Sequence, residues 1–290
     1  MHELLNKLLA HAPVILDGGW GTQLHSRGLA VGDCPEAWNL DCPDRVAAVA
    51  RVYAEAGARI VLTNSFGGSR LMLARYGLAE RTEEINRRAA ELSKQAVPEP
   101  TLVFGSMGPS GVMLIMGDVP EEDVYSAFAQ QARALAAGGA DGLVIETMSD
   151  PGEAKLAITA ARETGLPVVA CMVFDAGKYR DRTMTGATPE AAAEVLLEAG
   201  ADVIGANCGV GVEAFTPICS RLFAVAGAPV WIKANAGMPE MVNGAATYTQ
   251  TPEEFASHVP DLLETGAGFI GGCCGTNPDF IRAIAKAAGR

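Results

Sequence analysis

The sequence predicts an α/β fold, a closed (β/α)₈ barrel, and three observations carry that expectation. Short β-rich runs alternate with Ala-rich helical stretches from end to end, there are eight such runs, and one βα junction recurs at a fixed spacing. No linker, low-complexity tract or composition break interrupts the 290 residues, so residues 1–290 are expected to form one domain.

The strand candidates, in order, are VILDGG, RIVLTNSF, TLVFGSMG, DGLVIET, PVVACMVFD, ADVIGANC, PVWIKANAG and GFIGGCC. Both faces of each run are apolar, as parallel strands require when helices cover one side and a packed interior the other. An open doubly wound sheet is the alternative. After the strands or before the helices, DCPD, SDPGE, ATPEA, QTPEE and TNPDF each place a small or polar residue before Pro, with an acid following within two residues in each. Pro fits the first helical position and acids favour the positive end of the helix dipole, so these strings mark helix starts. At the other end of alternate helices stand EAGARIVLTN, AGGADGLVIE, EAGADVIGAN and ETGAGFIGGC. Seven residues beyond Gly57, Gly139, Gly200 and Gly266 lie Asn64, Glu146, Asn207 and Cys273, at equivalent strand ends. The same counting places Asp17, Cys208, Asn235 and Cys274 on that rim, which in a (β/α)₈ barrel is the catalytic mouth.

Bulk properties narrow the function. A formal charge of −12 without a dense basic cluster argues against nucleic acid and anionic membranes, whose binding needs Lys and Arg to displace counterions. The apolar runs are far shorter than the ~20 residues that span a bilayer. MHELLNKLLAHAP lacks the pattern of a signal peptide. Seven cysteines, an odd number in a long chain, suit reduced thiols, so the cytoplasm is the expected compartment.

Cys208 closes the sixth strand and the Cys273–Cys274 pair closes the eighth, so a barrel carries three thiols toward one point. Three thiolates suit Zn²⁺, and three protein ligands leave a fourth position open, as in catalytic zinc sites. A buried thiol cluster or a strained vicinal disulfide are the alternatives. Gly271, Gly272 and Gly275 are expected to let the backbone turn both side chains to one ion. Cys34 and Cys42 precede the helix that DCPD starts, and Cys171 and Cys219 read as packing residues. His25 and His258 read as exposed helix residues.

The strings DGGWGTQLHSRG, TNSF, NCGVG, NAGMP and GGCCGTNPDF, in this order, resemble the homocysteine S-methyltransferase family. The likeness runs over about residues 14 to 285. GPSGVM, IETMSD, MTGATPE and KANAGMPEMVNG are most similar to its cobalamin-dependent branch, the homocysteine module of methionine synthase. The resemblance implies a zinc on Cys208, Cys273 and Cys274, and methyl transfer to the thiol of homocysteine. It assigns the substrate's ammonium to Glu146, with Asp17 beside it. Backbone amides of GGWGT, residues Gly18, Gly19 and Thr22 among them, suit the substrate carboxylate, and Asn64 and Asn235 complete the substrate rim.

The methyl donor implied is a methylcorrinoid on a separate protein, since the chain ends soon after the eighth strand and holds no Asp-x-His-x-x-Gly cobalamin-ligating string. A small donor, S-methylmethionine, S-adenosylmethionine or betaine, is the alternative, with Trp20 in the first-strand loop as the aromatic that could face a cation. Two readings leave more unexplained: a Schiff-base enzyme built on Lys233, and a non-catalytic thiol or metal sensor.

Overall fold

The computed structural model describes residues 1–242 and 245–290; Asn243 and Gly244, the last two residues of KANAGMPEMVNG, lie outside the described residues. Eight strands form one parallel sheet: β1 (Val14–Ile15), β2 (Ile60–Leu62), β3 (Leu102–Met107), β4 (Gly142–Met148), β5 (Val168–Met172), β6 (Val203–Gly211), β7 (Val230–Asn235) and β8 (Ala267–Gly272). Each overlaps its expected segment. The spatial order is β1-β8-β7-β6-β5-β4-β3-β2, so chain neighbours are sheet neighbours throughout. A doubly wound sheet reverses its order midway, and this one does not. The two ends meet through a Leu16–Ile60 bridge and the Arg59 N–H bonded to the Ile15 carbonyl at 2.7 Å, which nearly closes the barrel.

The interior is a packed core. Trp231 stacks between Phe104 and Phe269, with ring centroids 6.2 and 5.2 Å apart, and Leu16, Leu62, Val144 and Val169 fill the space around them. A helix that the sequence pattern did not foretell, Glu3–Leu9, sets Leu5 and Leu8 against this cluster. A second, larger core lies between the strands and the surrounding helices.

Helix starts follow the expected chemistry. Asp150, Thr188, Thr251 and Asn277 each accept a backbone N–H of the first turn, with Pro next in line, and Thr251 forms a full capping box with Glu254. Cys42 precedes Pro43 at the same position without a side-chain cap. The recurring junction has a backbone cause: Gly57, Gly139, Gly200 and Gly266 each sit just past a helix end at φ of +102°, +91°, +95° and +108°. That left-handed turn stops the helix at little cost only when no Cβ is present, so the glycine fixes where the next strand begins. Among the described residues, no helix is long and apolar enough to cross a membrane.

Candidate active site at the barrel mouth

A cavity of about 370 Å³ opens at the C-terminal ends of the strands, and Cys208, Cys273 and Cys274 line it together with Glu146, Lys233 and the Gly18–Thr22 segment. The three sulfur atoms all lie within 4.8 Å of one another, with Cys208 Sγ and Cys274 Sγ 3.7 Å apart. The backbone of the pair is tied to β7: Cys273 N–H donates to the Ala234 carbonyl at 2.7 Å, and Cys274 N–H to Asn235 Oδ1 at 3.1 Å. All seven cysteines are free, so the adjacent pair is not a vicinal disulfide.

The expectation for the glycines holds at one position of three. Gly275 is left-handed, at φ +81°, and the Tyr248 ring covers it so closely that a Cβ would meet Cγ at 2.2 Å. Gly271 and Gly272 have no such φ; a Cβ there would lie 2.6 Å from the Asp17 carbonyl oxygen and 2.3 Å from Thr276 Oγ1. Their absent side chains let β1 and the Thr276 turn approach. The turn that aims a thiol inward falls on Cys208 itself, at φ +62°. A side-chain-bearing residue pays about 1–2 kcal/mol for that region, and strain of this kind concentrates at functional sites.

The thiols hold their protons against one another. Contact with Cys208, then burial, pushes Cys274 up to about 12, and contact with Cys273 followed by burial raises Cys208 well above the usual thiol range. Cys273 is drawn down by Cys208, but Cys274 and burial outweigh that and leave it well above the usual thiol range. Three such sulfurs ionise together only around a cation, and a soft-tolerant divalent ion suits an all-sulfur set. The donor chemistry therefore fits Zn²⁺.

Glu146 projects from β4 beside the thiols and is buried. The Ser106 hydroxyl donates to its Oε1, and Asn207 Nδ2 lies 3.5 Å from Oε2. Burial raises this carboxyl, while the Lys233 ammonium and the Ser106 bond pull the other way. The next residue, Thr147, is left-handed at φ +59°. Asn207 clamps it: Oδ1 accepts the Thr147 N–H and Nδ2 donates to the Thr147 hydroxyl, both at 2.7 Å. Asn207, one residue from Cys208, thus ties the Glu146 turn to the thiol turn.

Of the other rim residues, Gly18, Gly19, Thr22 and Asn64 line the cavity, whereas Asp17 and Asn235 do not. Asp17 is fully buried behind the wall. Its Oδ2 accepts the Leu62 N–H at 2.7 Å, stitching β1 to β2, and the Trp20 indole N–H at 2.8 Å, while Oδ1 pairs with Lys233. Asn235 serves the Cys274 backbone. The Asn64 amide nitrogen is spent on the Pro35 carbonyl and Asn39 Oδ1, at 2.7 and 3.0 Å. Gly19 N–H donates to Thr276 Oγ1 at 3.0 Å, and Trp20 opens a helix, Trp20–Ser26, where a loop was expected.

Burial alone would lower Lys233, but Asp17 and then Glu146 outweigh it, and its pKa lies above the ordinary lysine value. A Schiff-base lysine must be neutral to attack, so this pairing speaks against that chemistry. His25 is exposed on its helix, bonded to the Leu29 carbonyl, but His258 is half-buried in a turn between two helices. Cys171 lies in the barrel interior and Cys219 on the buried face of a helix, as read.

Beyond Ser106, which lines the cavity and bonds Glu146, two more residues escaped the sequence reading. Glu36 lines the cavity, buried, with its oxygens taken by the Gly67 N–H at 2.6 Å and the Cys34 thiol at 3.4 Å. Tyr248 faces the Cys274 sulfur. Neither belongs to a periodic or spaced pattern.

The sequence profile described as homocysteine S-methyltransferase matches residues 14–288. Methionine synthase of Mycobacterium leprae (strain TN) is 30% identical over 302 residues, covering 99% of this chain and 25% of that protein. Methionine synthase of Mycobacterium tuberculosis (strain ATCC 25618 / H37Rv) is 29% identical over 299 residues, with 97% and 25% covered. The chain spans about a quarter of the length of these relatives. Among solved structures, the homocysteine methyltransferase MmuM from Escherichia coli superposes in its metallated form with a TM-score of 0.81 at 23% identity, covering 97% of this chain and 99% of that one. Its oxidized form gives 0.82 at 24%, with 98% and 99% covered. At those identities the likeness speaks for the fold. The profile match is what carries the assignment, because it runs from β1 to the final helix: this chain belongs to the homocysteine S-methyltransferase family.

Proposed function

We propose that residues 1–290 act as one homocysteine-binding barrel that transfers a methyl group to the thiol of homocysteine, giving methionine, with Zn²⁺ held by Cys208, Cys273 and Cys274. The observation that carries this reading is the trio of sulfurs within 4.8 Å of one another at the mouth of the cavity. When bound, Zn²⁺ supplies the ionisation of the acceptor thiol at neutral pH, which a free alkyl thiol achieves only to a few per cent.

The protein's own residues do the rest. Glu146 takes the substrate ammonium, because a buried carboxylate gains most from a charged donor. The Gly18–Thr22 segment takes the carboxylate: Trp20 and Gly21 stand in the first turn of a helix, where backbone N–H groups have no intrahelical acceptor. Anchored at both ends, the homocysteine sulfur meets the donor's methyl carbon; the S–C bond forms as the methyl–donor bond breaks, and the electron pair leaves with the donor. No protein base is needed for that step.

The donor we propose is a methylcorrinoid carried by a separate protein. Phe66, Met113, Ile115, Met116, Tyr179 and Met238 are exposed on the segments that follow β2, β3, β5 and β7, all at the mouth end. Apolar side chains gathered around an active-site opening suit a macromolecular partner. Trp20 lines the cavity with its indole N–H bonded to Asp17, and it is the aromatic that a small cationic donor would meet in the alternative reading. Seven free thiols suit a reducing compartment, and the cytoplasm is the proposed location.

The test is a donor screen with zinc-replete protein, homocysteine, and in turn a methylcorrinoid protein, free methylcobalamin, S-methylmethionine, S-adenosylmethionine and betaine. Methionine from the corrinoid protein at the highest rate is the expected result. Strong turnover with a sulfonium or betaine and none with corrinoids would replace the donor assignment. No methionine from any donor would sink the enzyme reading in favour of the thiol or metal sensor.

A further inference from the structure

Three buried charges, Asp17, Lys233 and Glu146, meet in the barrel just beneath the thiols, and the reaction as proposed uses only Glu146. Asp17 is closed to substrate: it is fully buried, outside the cavity lining, and its oxygens serve Leu62, Trp20 and Lys233. Lys233 is 2% exposed and reaches the cavity wall. Its ammonium carries three donors, of which Asp17 takes one, and Glu146 is the other charge it feels most strongly. The remaining neighbours of Glu146 are uncharged: Ser106, Asn207, and the Cys171 and Cys273 thiols. Glu36 also lines the cavity, from the segment that packs on Gly67, where an N–H and a thiol occupy its oxygens.

Two carboxylates buried at one site without a cation would repel and would each bear a desolvation cost of several kcal/mol. A third charge of opposite sign removes one of them from play. We propose that Lys233 is a positioning residue whose ammonium cancels Asp17, leaving Glu146 alone to meet the single ammonium of the substrate. The inference rests on the reading that Glu146 binds that ammonium. It assigns Asp17 a role one step back from substrate, as the anchor that keeps the lysine away from Glu146.

The test compares zinc-loaded wild type, Asp17→Asn, Lys233→Met and the double variant by calorimetry with two thiols, homocysteine and its des-amino analogue 4-mercaptobutanoate. Wild type is expected to prefer homocysteine. In Asp17→Asn the freed lysine turns to Glu146 and competes with the substrate's ammonium, so the preference should fall about tenfold, the scale of a hydrogen bond to a charged group. Lys233→Met should lose thermal stability, through two unpaired buried carboxylates. The double variant removes anchor and lysine together and should regain the wild-type preference and part of the melting temperature that Lys233→Met loses. A merely structural pair would weaken both thiols alike. An unchanged preference in Asp17→Asn, or a double variant no better than it, would overturn the inference. Should Asp17→Asn fail to fold, wild type against Lys233→Met decides: an uncancelled Asp17 adds a second negative charge beside Glu146, so a stronger preference for homocysteine supports the cancellation, and an unchanged preference refutes it. Equal affinity of wild type for the two thiols would instead remove the ammonium contact to Glu146, and this inference with it.

Discussion

Replacing Glu146 by Gln separates binding from stability, because the two should move in opposite directions. The side chain keeps its shape. The amide oxygen can face Asn207 Nδ2 and the amide nitrogen the Ser106 oxygen, which accepts as readily as it donates, so no buried polar atom is orphaned. What disappears is the negative charge. Charge-assisted bonds contribute about 1.5–3 kcal/mol, so homocysteine affinity should fall about 10- to 150-fold. Burial is the largest influence on this carboxyl and acts against its ionised form, so a neutral amide relieves a desolvation cost. The melting temperature should therefore hold or rise while the dissociation constant worsens. Calorimetry with homocysteine and a thermal melt, both on zinc-replete protein, measure the two. A folded variant that binds homocysteine as wild type does would refute the assignment of Glu146 to the ammonium.

Fresh reduced protein should hold about one zinc per chain, and Cys208→Ser, Cys273→Ser and Cys274→Ser should each lose it in metal analysis; full occupancy in one variant would remove that cysteine from the site. Because the metal-free thiols lie well above neutral pH, zinc binding at pH 7 should release about three protons, read from calorimetry in buffers of different ionisation enthalpy, and release near zero would contradict the protonated trio. Asn207→Ala removes both bonds that hold Thr147 left-handed and should cost about 1–3 kcal/mol in denaturant unfolding; a loss too small to measure would mean the turn holds itself. Trp20→Ala should leave turnover from methylcorrinoid largely intact, and selective loss of a strong betaine or S-methylmethionine activity would move the donor assignment to the small cations.

Local sequence determined the scaffold. Helix starts were legible because capping is a contact within three residues, as Thr251 and Glu254 show. Strand starts were legible because a glycine past a helix end must turn left-handed, which sets a repeat that can be counted. Counting then put Cys208, Cys273, Cys274 and Glu146 on one rim, where the structure holds them around one cavity. What tertiary structure alone decided is how the rim residues divide their work. Asp17 and Lys233 stand 216 residues apart, and nothing near either one says that they pair or that Asp17 turns from the cavity. Asn235 reached the rim by the same counting as Asn64, yet one supports a cysteine backbone and the other is bound to the Pro35 segment. Glu36 and Tyr248 enter from segments without periodicity. Spacing along a strand fixes height and face, whereas the partner a side chain finds depends on which strand closes beside it, and that is settled only when the barrel joins β1 to β2.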